Sequence, residues 1–370
     1  MASEPAPISF ARGAPSLDIV DVDGLRAAAD RAFANDPAGT TAYGTAIGYR
    51  PLRAWIAERH GVAPEQVIVT NGSMQADAFL FEALVEDGDV VVVEKPTYDR
   101  TLLSLRSRGA DLRPVDLHED GIDVDGVRAL VEAGAKPRLA HIIPNFQNPA
   151  GSTLSGAKRR ALLALAAESG MTIFEDDPYV ELRFSGEPLP TMLSLDSADR
   201  VVYASSFSKT VCPGIRVGYL VGPEKLIARI VKLATNTYIS PSMVAQSIVN
   251  EFVRAEGGAA FERSVARVKG ALQERAQALC AALARELPEA RFVAPQGGYF
   301  LWVELPDGSD GGALFAAAAE RGVQIVKGTD FLLDGGENAF RLAYSGVTVA
   351  QIEAGVARLA DAVRSVGVAA

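Results

Sequence analysis

Between residues 67 and 221, short apolar runs rich in β-branched residues alternate with helix-length segments, and this rhythm confines the chain to a narrow class of folds. The runs 67–70 (Val-Ile-Val-Thr) and 90–93 (Val-Val-Val-Val) read as strands, as do 139–143, 171–174, 201–204 and 217–221. None alternates strictly between apolar and polar residues, so each predicts a strand covered on both faces. Helical segments such as 73–85 and 157–169 separate most of them. Strand, helix and strand in repetition predict crossovers in a mainly parallel sheet flanked by helices, an α/β architecture.

The last third of the chain has another texture. A long helical stretch covers 261–286, and strands at 300–303, 323–326 and 340–343 alternate with helices. The final helix opens on Thr348 with Gln351 three residues on, a capping-box pattern. Ile352, Val356, Leu359 and Val363 follow at helical spacing on one face. These features predict a smaller α+β unit, entered near 254–258. A chain of 370 residues has room for two such bodies.

Composition narrows the function classes. The formal net charge of −10 argues against a non-specific nucleic-acid binder, although one local site can still be positive. Cys212 and Cys280 are too few and too far apart for a disulfide framework and suit a reducing cytoplasm. His60, His118 and His141 show no metal-ligand spacing, so each reads as an ordinary surface or core histidine and no metal is expected. No signal peptide and no membrane span is read in the sequence.

Four loops carry candidate chemistry, and each follows a predicted strand, where open α/β sheets bind their ligands. Ser206-Phe207-Ser208-Lys209-Thr210 places a lysine between hydroxyl residues, with Arg216 following beside Gly214. A Schiff-base lysine needs a partly desolvated pocket, and a phosphate needs hydroxyls and a guanidinium. Thr70-Asn71-Gly72-Ser73-Met74-Gln75 leads from a strand through a glycine turn into a helix start that could face an anion. On this segment alone, an ordinary turn with Ser73 as helix cap is the better account. In Glu175-Asp176-Asp177-Pro178-Tyr179 the acids could bind a metal, cap a helix or pair with a protonated ring nitrogen. Asn145-Phe146-Gln147-Asn148-Pro149-Ala150-Gly151 is by itself no more than a turn.

In this order and at these separations, the four segments resemble the fold-type I pyridoxal-5′-phosphate (PLP) enzymes, specifically the class I/II aminotransferase superfamily. Within it they are most similar to the aminoadipate/kynurenine aminotransferase-like branch. The resemblance covers essentially the whole chain, from Ile8-Ser9-Phe10-Ala11-Arg12-Gly13 to Phe340-Arg341-Leu342-Ala343-Tyr344-Ser345. Its most specific part is Ser-Phe-Ser-Lys followed by Arg216-Val217-Gly218-Tyr219.

The resemblance implies a role for each matching residue. Lys209 forms the internal aldimine and carries a proton between the substrate Cα and the cofactor C4′. Asp176, rather than Asp177, pairs with the pyridine nitrogen, because the family's tyrosine lies three residues after the key aspartate. Asn148 and Tyr179 bond the phenolic oxygen, and Tyr98 stacks on the ring. Ser73, the Met74 backbone, Ser206, Ser208 and Arg216 hold the phosphate, and Tyr43 reaches the phosphate of a partner subunit. Arg341 binds the substrate α-carboxylate, against the competing reading of a surface ion pair, and Gly13 lies close to the substrate.

The resemblance further implies a homodimer, with a large domain at 40–254 and a small domain formed by 1–39 and 255–370. The substrate side-chain pocket is expected from 12–17, 43–47 and 235–240, and Arg100 is expected to face solvent. The implied reaction is amino-group transfer between an L-amino acid and a 2-oxo acid. Other PLP chemistry on the same fold ranks second. A PLP-sensing regulatory domain ranks third, since no helix-turn-helix is read ahead of Ile8.

Overall fold

The computed structural model of the protein describes residues 6–367. In chain order the strands are β1 (Ile8–Ser9), β2 (Val67–Thr70), β3 (Val90–Lys95), β4 (Asp111–His118), β5 (Gly121–Ile122), β6 (Leu139–Ile142), β7 (Thr172–Asp176), β8 (Val201–Ser206), β9 (Gly218–Val221), β10 (Phe300–Glu304), β11 (Val323–Gln324), β12 (Val326–Lys327) and β13 (Ala339–Ala343). Eight of them form one sheet in the order β2-β9-β8-β7-β6-β3-β4-β5. β8, β7, β6, β3 and β4 run parallel. β9 opposes both its neighbours, β2 and β8, and the two-residue β5 opposes β4. The mainly parallel sheet is therefore present. Because β9 is reversed, its first residue lies at the edge where the parallel strands end.

Alternation along the strands divides the core into two layers. Val91, Val93 and Phe174 face a layer with Leu80, Ile227 and Ile230 from the helices Ser73–Leu84 and Glu224–Tyr238. Val92 and Ile173 face the other layer, with Leu162 and Leu165 from the helix Gly156–Ser169. Both faces being covered is why these strands read as unbroken apolar runs.

A separate cluster unites the helix Ala259–Glu286, the antiparallel sheet β10-β13-β12 and the last helix, Val349–Ser365. Thr348 closes the capping box with Gln351, and Ile352, Val356, Leu359 and Val363 are all buried. The N-terminal segment joins this body: β1 pairs with β11, and Ile8 and Phe10 enter its core. The next helix, Val22–Asn35, packs instead on the helix Met243–Arg254. After Arg254 the chain turns sharply, with Glu256 at φ 54° and Gly257 at φ 66°.

One expectation needs correction, and strands such as β4 and β1 were not anticipated. β4 escapes the sequence reading because it holds Pro114 and charged residues; it lies near the sheet edge, where a missing N–H and polar side chains are tolerated. The run 323–326 is two strands, because Val323 pairs with Ile8 while Val326 pairs with Arg341. β1 is too short to carry a period.

Candidate active site

The carboxyl ends of β2, β3, β6, β7 and β8 open onto one cavity of about 580 Å³. Its wall contains Ser73, Met74, Tyr98, Asn148, Asp176, Tyr179, Ser206, Ser208, Lys209 and Arg216, together with Gly13 and Arg341 from the second body. Tyr43 is the predicted residue that this wall does not include; it stands 90% exposed on the surface of the chain.

One end of the cavity is built for an anion. Ser73 opens a 12-residue helix whose N-terminal amides and dipole favour negative charge. The cap is Gly72, at φ 84°, not Ser73. A Cβ there would come within 2.2 Å of Arg216 Nη2, so the turn and the guanidinium approach closely only because the residue is glycine. Arg216 itself adopts a left-handed conformation, φ 51°, which costs roughly 1–2 kcal/mol in a non-glycine residue. Its Nη1 donates to Ser208 Oγ (3.2 Å), and Ser208 N donates to Ser206 Oγ (3.1 Å).

Asp176, the last residue of β7, is buried in the wall with Oδ1 unpartnered. Its Oδ2 lies 3.5 Å from His141 Nε2. His141 pairs in register with Phe174, and Phe174 and Asp176 share a face of β7, so the histidine sits beside the carboxylate. His141 is a fully buried core residue, as read, but one whose neighbour is the Asp176 carboxylate. A histidine inside the apolar run 139–143 was the available signal, but strand register, which made the neighbour, is not local information.

Asp177 points the other way. It is fully buried and accepts two bonds from Asn145 Nδ2, at 2.9 and 3.0 Å, while Arg159 Nη2 donates to Asn145 Oδ1 at 2.8 Å.

Lys209 lies in the turn after β8. Its Nζ donates to Gly13 O at 2.7 Å, and Tyr299 Oη donates to its carbonyl at 2.9 Å. Burial, then the charges of Arg341 and Arg216, lower its amine to about 8 against the opposing pull of Asp176. The neutral, nucleophilic form is therefore far more populated near neutral pH than on a surface lysine. Tyr179, four per cent exposed, lies under this amine with its phenol pushed up by burial.

Arg341, in the middle of β13, is 7% exposed. Its guanidinium lies over Phe300 at 4.3 Å and Phe331 at 4.9 Å. Nη1 donates to Asn148 Oδ1 (2.8 Å), Nη2 donates to Ala11 O (2.7 Å), and Nε has no partner. Among the described residues no carboxylate pairs with it, which removes the surface-ion-pair reading. A buried arginine held by neutral acceptors is a ready site for an incoming carboxylate.

At the side-chain end a single chain supplies part of the expected wall. Of 12–17 only Arg12, Gly13 and Ala14 reach the cavity, and neither 43–47 nor 235–240 does. Asp99, Arg100, Val326, Asp330 and Phe331 of the same chain also line it. Arg100 is a half-exposed rim residue beside Asp99, not a purely solvent-facing one. Asp77 also lines the cavity and was not anticipated.

These residues fit PLP. The Ser73–Arg216 cradle suits its phosphate, the orphaned Asp176 Oδ1 suits a protonated ring nitrogen, and Lys209 suits its aldehyde.

The comparisons with known proteins agree. The family model "Aminotransferase class I and II" matches residues 7–359. A 2-aminoadipate transaminase of Thermus thermophilus is 34% identical over 98% of this chain and 92% of its own length. An aromatic-amino-acid aminotransferase of Thermococcus litoralis is 31% identical over 96% of this chain and 88% of its own. Among solved structures, an α-aminoadipate aminotransferase of T. thermophilus complexed with N-(5′-phosphopyridoxyl)-L-leucine superposes with a TM-score of 0.93 at 34% identity, covering 97% of this chain and 92% of that one. The kynurenine aminotransferase of Pyrococcus horikoshii gives 0.91 at 31% identity, covering 98% and 91%. The chain belongs to the class I and II aminotransferases and is a PLP-dependent enzyme that moves an amino group between an amino acid and a 2-oxo acid.

Proposed function

We propose that the cavity is the transamination site for L-amino acids, with Lys209 as the covalent attachment point of the cofactor. The observation that carries this reading is the placement on one cavity wall of a lysine bonded only to a backbone carbonyl and a buried arginine without an acidic partner. Bound there, PLP supplies an electron sink for the substrate Cα and a carbon that takes over the amino nitrogen.

The chain's own groups do the rest. Arg341 and Asn148 would grip the α-carboxylate and so orient the bonds at the substrate Cα. Lys209 would hold the cofactor's aldehyde carbon and, as a free amine, would move the proton taken from the substrate Cα. Asp176 keeps the ring nitrogen protonated, steadied by His141. Tyr179 and Asn148 hold the phenolic oxygen, and Tyr98 covers the ring. Ser73, Met74 N, Ser206, Ser208 and Arg216 anchor the phosphate. The test is a half-reaction screen of the loaded enzyme against 2-aminoadipate, glutamate, aromatic amino acids and kynurenine. Amino-group transfer should change the cofactor absorbance and release the matching 2-oxo acid; no such product from any α-amino acid would refute the reading.

Asp176→Asn should retain bound cofactor yet lose most activity, because a neutral amide no longer favours the ring-nitrogen proton. Asp177→Asn should keep the cofactor spectrum and most activity. It should lower Tm, since setting an amide against Asn145 costs roughly 1–3 kcal/mol of buried hydrogen bonding. Spectra, kcat and melting curves of both variants check the ranking.

The working form is proposed to be a homodimer in the cytoplasm, built from a large domain at 40–254 and a small domain of 1–39 with 255–370, the helix Val22–Asn35 of the latter lying against the large domain. Tyr43 is exposed, and a Cβ on neighbouring Gly44 would meet Met243 Sδ at 2.3 Å, so the 43–44 turn lies on the start of the helix Met243–Arg254. Tyr43, Val244 and Ile239 are all large, exposed apolar side chains. An interface there should bury more than roughly 2,000 Å². Light scattering should give twice the chain mass of 39.0 kDa. Tyr43→Ala should lower cofactor affinity without unfolding the chain. The two unpaired thiols, Cys212 and Cys280, suit the reducing compartment.

A further inference from the structure

Asp77 has no part in the assignments above. It lies four residues after Ser73 in the helix Ser73–Leu84, so both project from one face toward the cavity. The other buried positions of that helix are apolar: Ala76, Phe79, Leu80, Phe81 and Ala83. Asp77 is 5% exposed, and its Oδ1 has no hydrogen-bond partner. A carboxylate in such a place is costly unless something answers its charge.

The groups around it do not. β2, β8 and β9 turn Ile68, Ala204 and Leu220 toward the helix. The helix Glu224–Tyr238 offers Tyr238, which packs on Phe79 and donates to Ala46 O. The remaining titratable neighbours are Glu94 of β3, His141 of β6, Asp176 of β7, and Tyr98 with Asp99 and Arg100 at the start of the helix Asp99–Ser107. Lys209 and Arg216 share the cavity, yet among the described residues no cation pairs with Asp77. Asp176 lines the same cavity, its charge bears on Asp77, and its Oδ1 is also unpartnered.

We propose that Asp77 is a positioning residue that stays protonated at working pH and donates a hydrogen bond to the carboxylate of Asp176, tuning its hold on the ring nitrogen of PLP. One proton shared by the two acids satisfies both orphaned oxygens. A carboxylate oxygen has two acceptor sites, so Asp176 can still receive the ring N–H. Two carboxylates facing each other in a dry site cannot both ionise cheaply. Burial first, and the charge of Asp176 second, push the Asp77 carboxyl well above the usual range.

The inference rests on Asp176 facing the ring nitrogen, and the experiment separates the two. The readout is the pH midpoint of the absorbance of the Lys209-bound cofactor. A bond from Asp77 spreads the negative charge of Asp176 and weakens it as a base. In Asp77→Leu that bond is lost, Asp176 offsets more of the ring's positive charge, and the nitrogen on Lys209 becomes more basic. The midpoint should rise by roughly half a unit or more. Asp77→Asn still offers an N–H donor and should titrate like the wild type, within about 0.3 unit, with cofactor affinity unchanged. The infrared difference between the loaded wild type and Asp77→Asn should contain one carboxylic-acid C=O band, beyond the common background of buried acids such as Glu94 and Asp177.

A lowered midpoint in Asp77→Asn would mean the side chain is charged, and would overturn the proposal. So would a missing acid band, or an unmoved midpoint in Asp77→Leu. Asp176→Asn is the reference. If it shifts the midpoint while Asp77→Leu does not, only the role of Asp77 falls; if it shifts nothing, the placement of Asp176 falls with it.

Discussion

Lys209→Ala is expected to lose covalent cofactor altogether and to lower kcat on the order of 10³-fold or more. Two functions vanish with one amine: the attachment point and the proton carrier. No other lysine lines the cavity among the described residues, so none can take over. Noncovalent binding should survive, because the phosphate cradle of Ser73, Ser208 and Arg216 and the carboxylate of Asp176 are untouched. The amine also donates to Gly13 O, so the variant loses one tie between the two bodies. Borohydride reduction and peptide mapping of the wild type should place the pyridoxyl label on the peptide that contains Lys209. A label on any other lysine would displace the assignment.

Arg341→Ala should keep the cofactor spectrum and lose activity toward every α-amino acid. A charge-assisted, bidentate grip in a nearly buried site is worth on the order of 2–5 kcal/mol in kcat/KM, or about 30- to 5,000-fold. Removal leaves Asn148 Oδ1 and Ala11 O without their donors, so the loss should appear in kcat as well as KM. Arg341→Lys should recover little, since an ammonium cannot reach both acceptors and a carboxylate in one plane. The measurement is kcat/KM on the best donor found in the amino-acid screen. A change below about fivefold, roughly 1 kcal/mol, would mean that the substrate is anchored elsewhere.

What the sequence made legible follows from how local the information is. Lys209, Asp176, Asn148 and Ser73 each sit at the end of a strand that can be read from its own residues, and the reading carried over to the cavity. The choice of Asp176 over Asp177 likewise agrees with a β-strand's alternation of faces, one acid in the cavity and the next in the Asn145–Arg159 network. His141 and Asp77 were missed because their importance depends on a neighbour. For His141 the neighbour comes from the pairing of β6 with β7, and for Asp77 from a helix folding back over β2, β8 and β9 beside the cavity. A lone acid at i+4 from Ser73 on an apolar helix was the one visible trace of the latter. The rim residues Asp99, Arg100 and Asp330 depend on how two bodies face each other, which no single segment encodes.

The tie between Arg341 and Ala11 spans 330 residues, and Phe10 is clasped on both sides, donating to Gln324 O and accepting from Ala343 N. A ribosome delivers the first of these strands long before the last. While synthesis proceeds, the segment around β1 has no partner, whereas β2 to β9 are complete by residue 221. The large sheet can therefore condense on the emerging chain, but the substrate grip closes only when the final strands arrive and a loop of more than 300 residues is shut. Order of birth thus separates the two halves of the catalyst: the part that holds the cofactor matures first, and the part that chooses what reacts with it matures last.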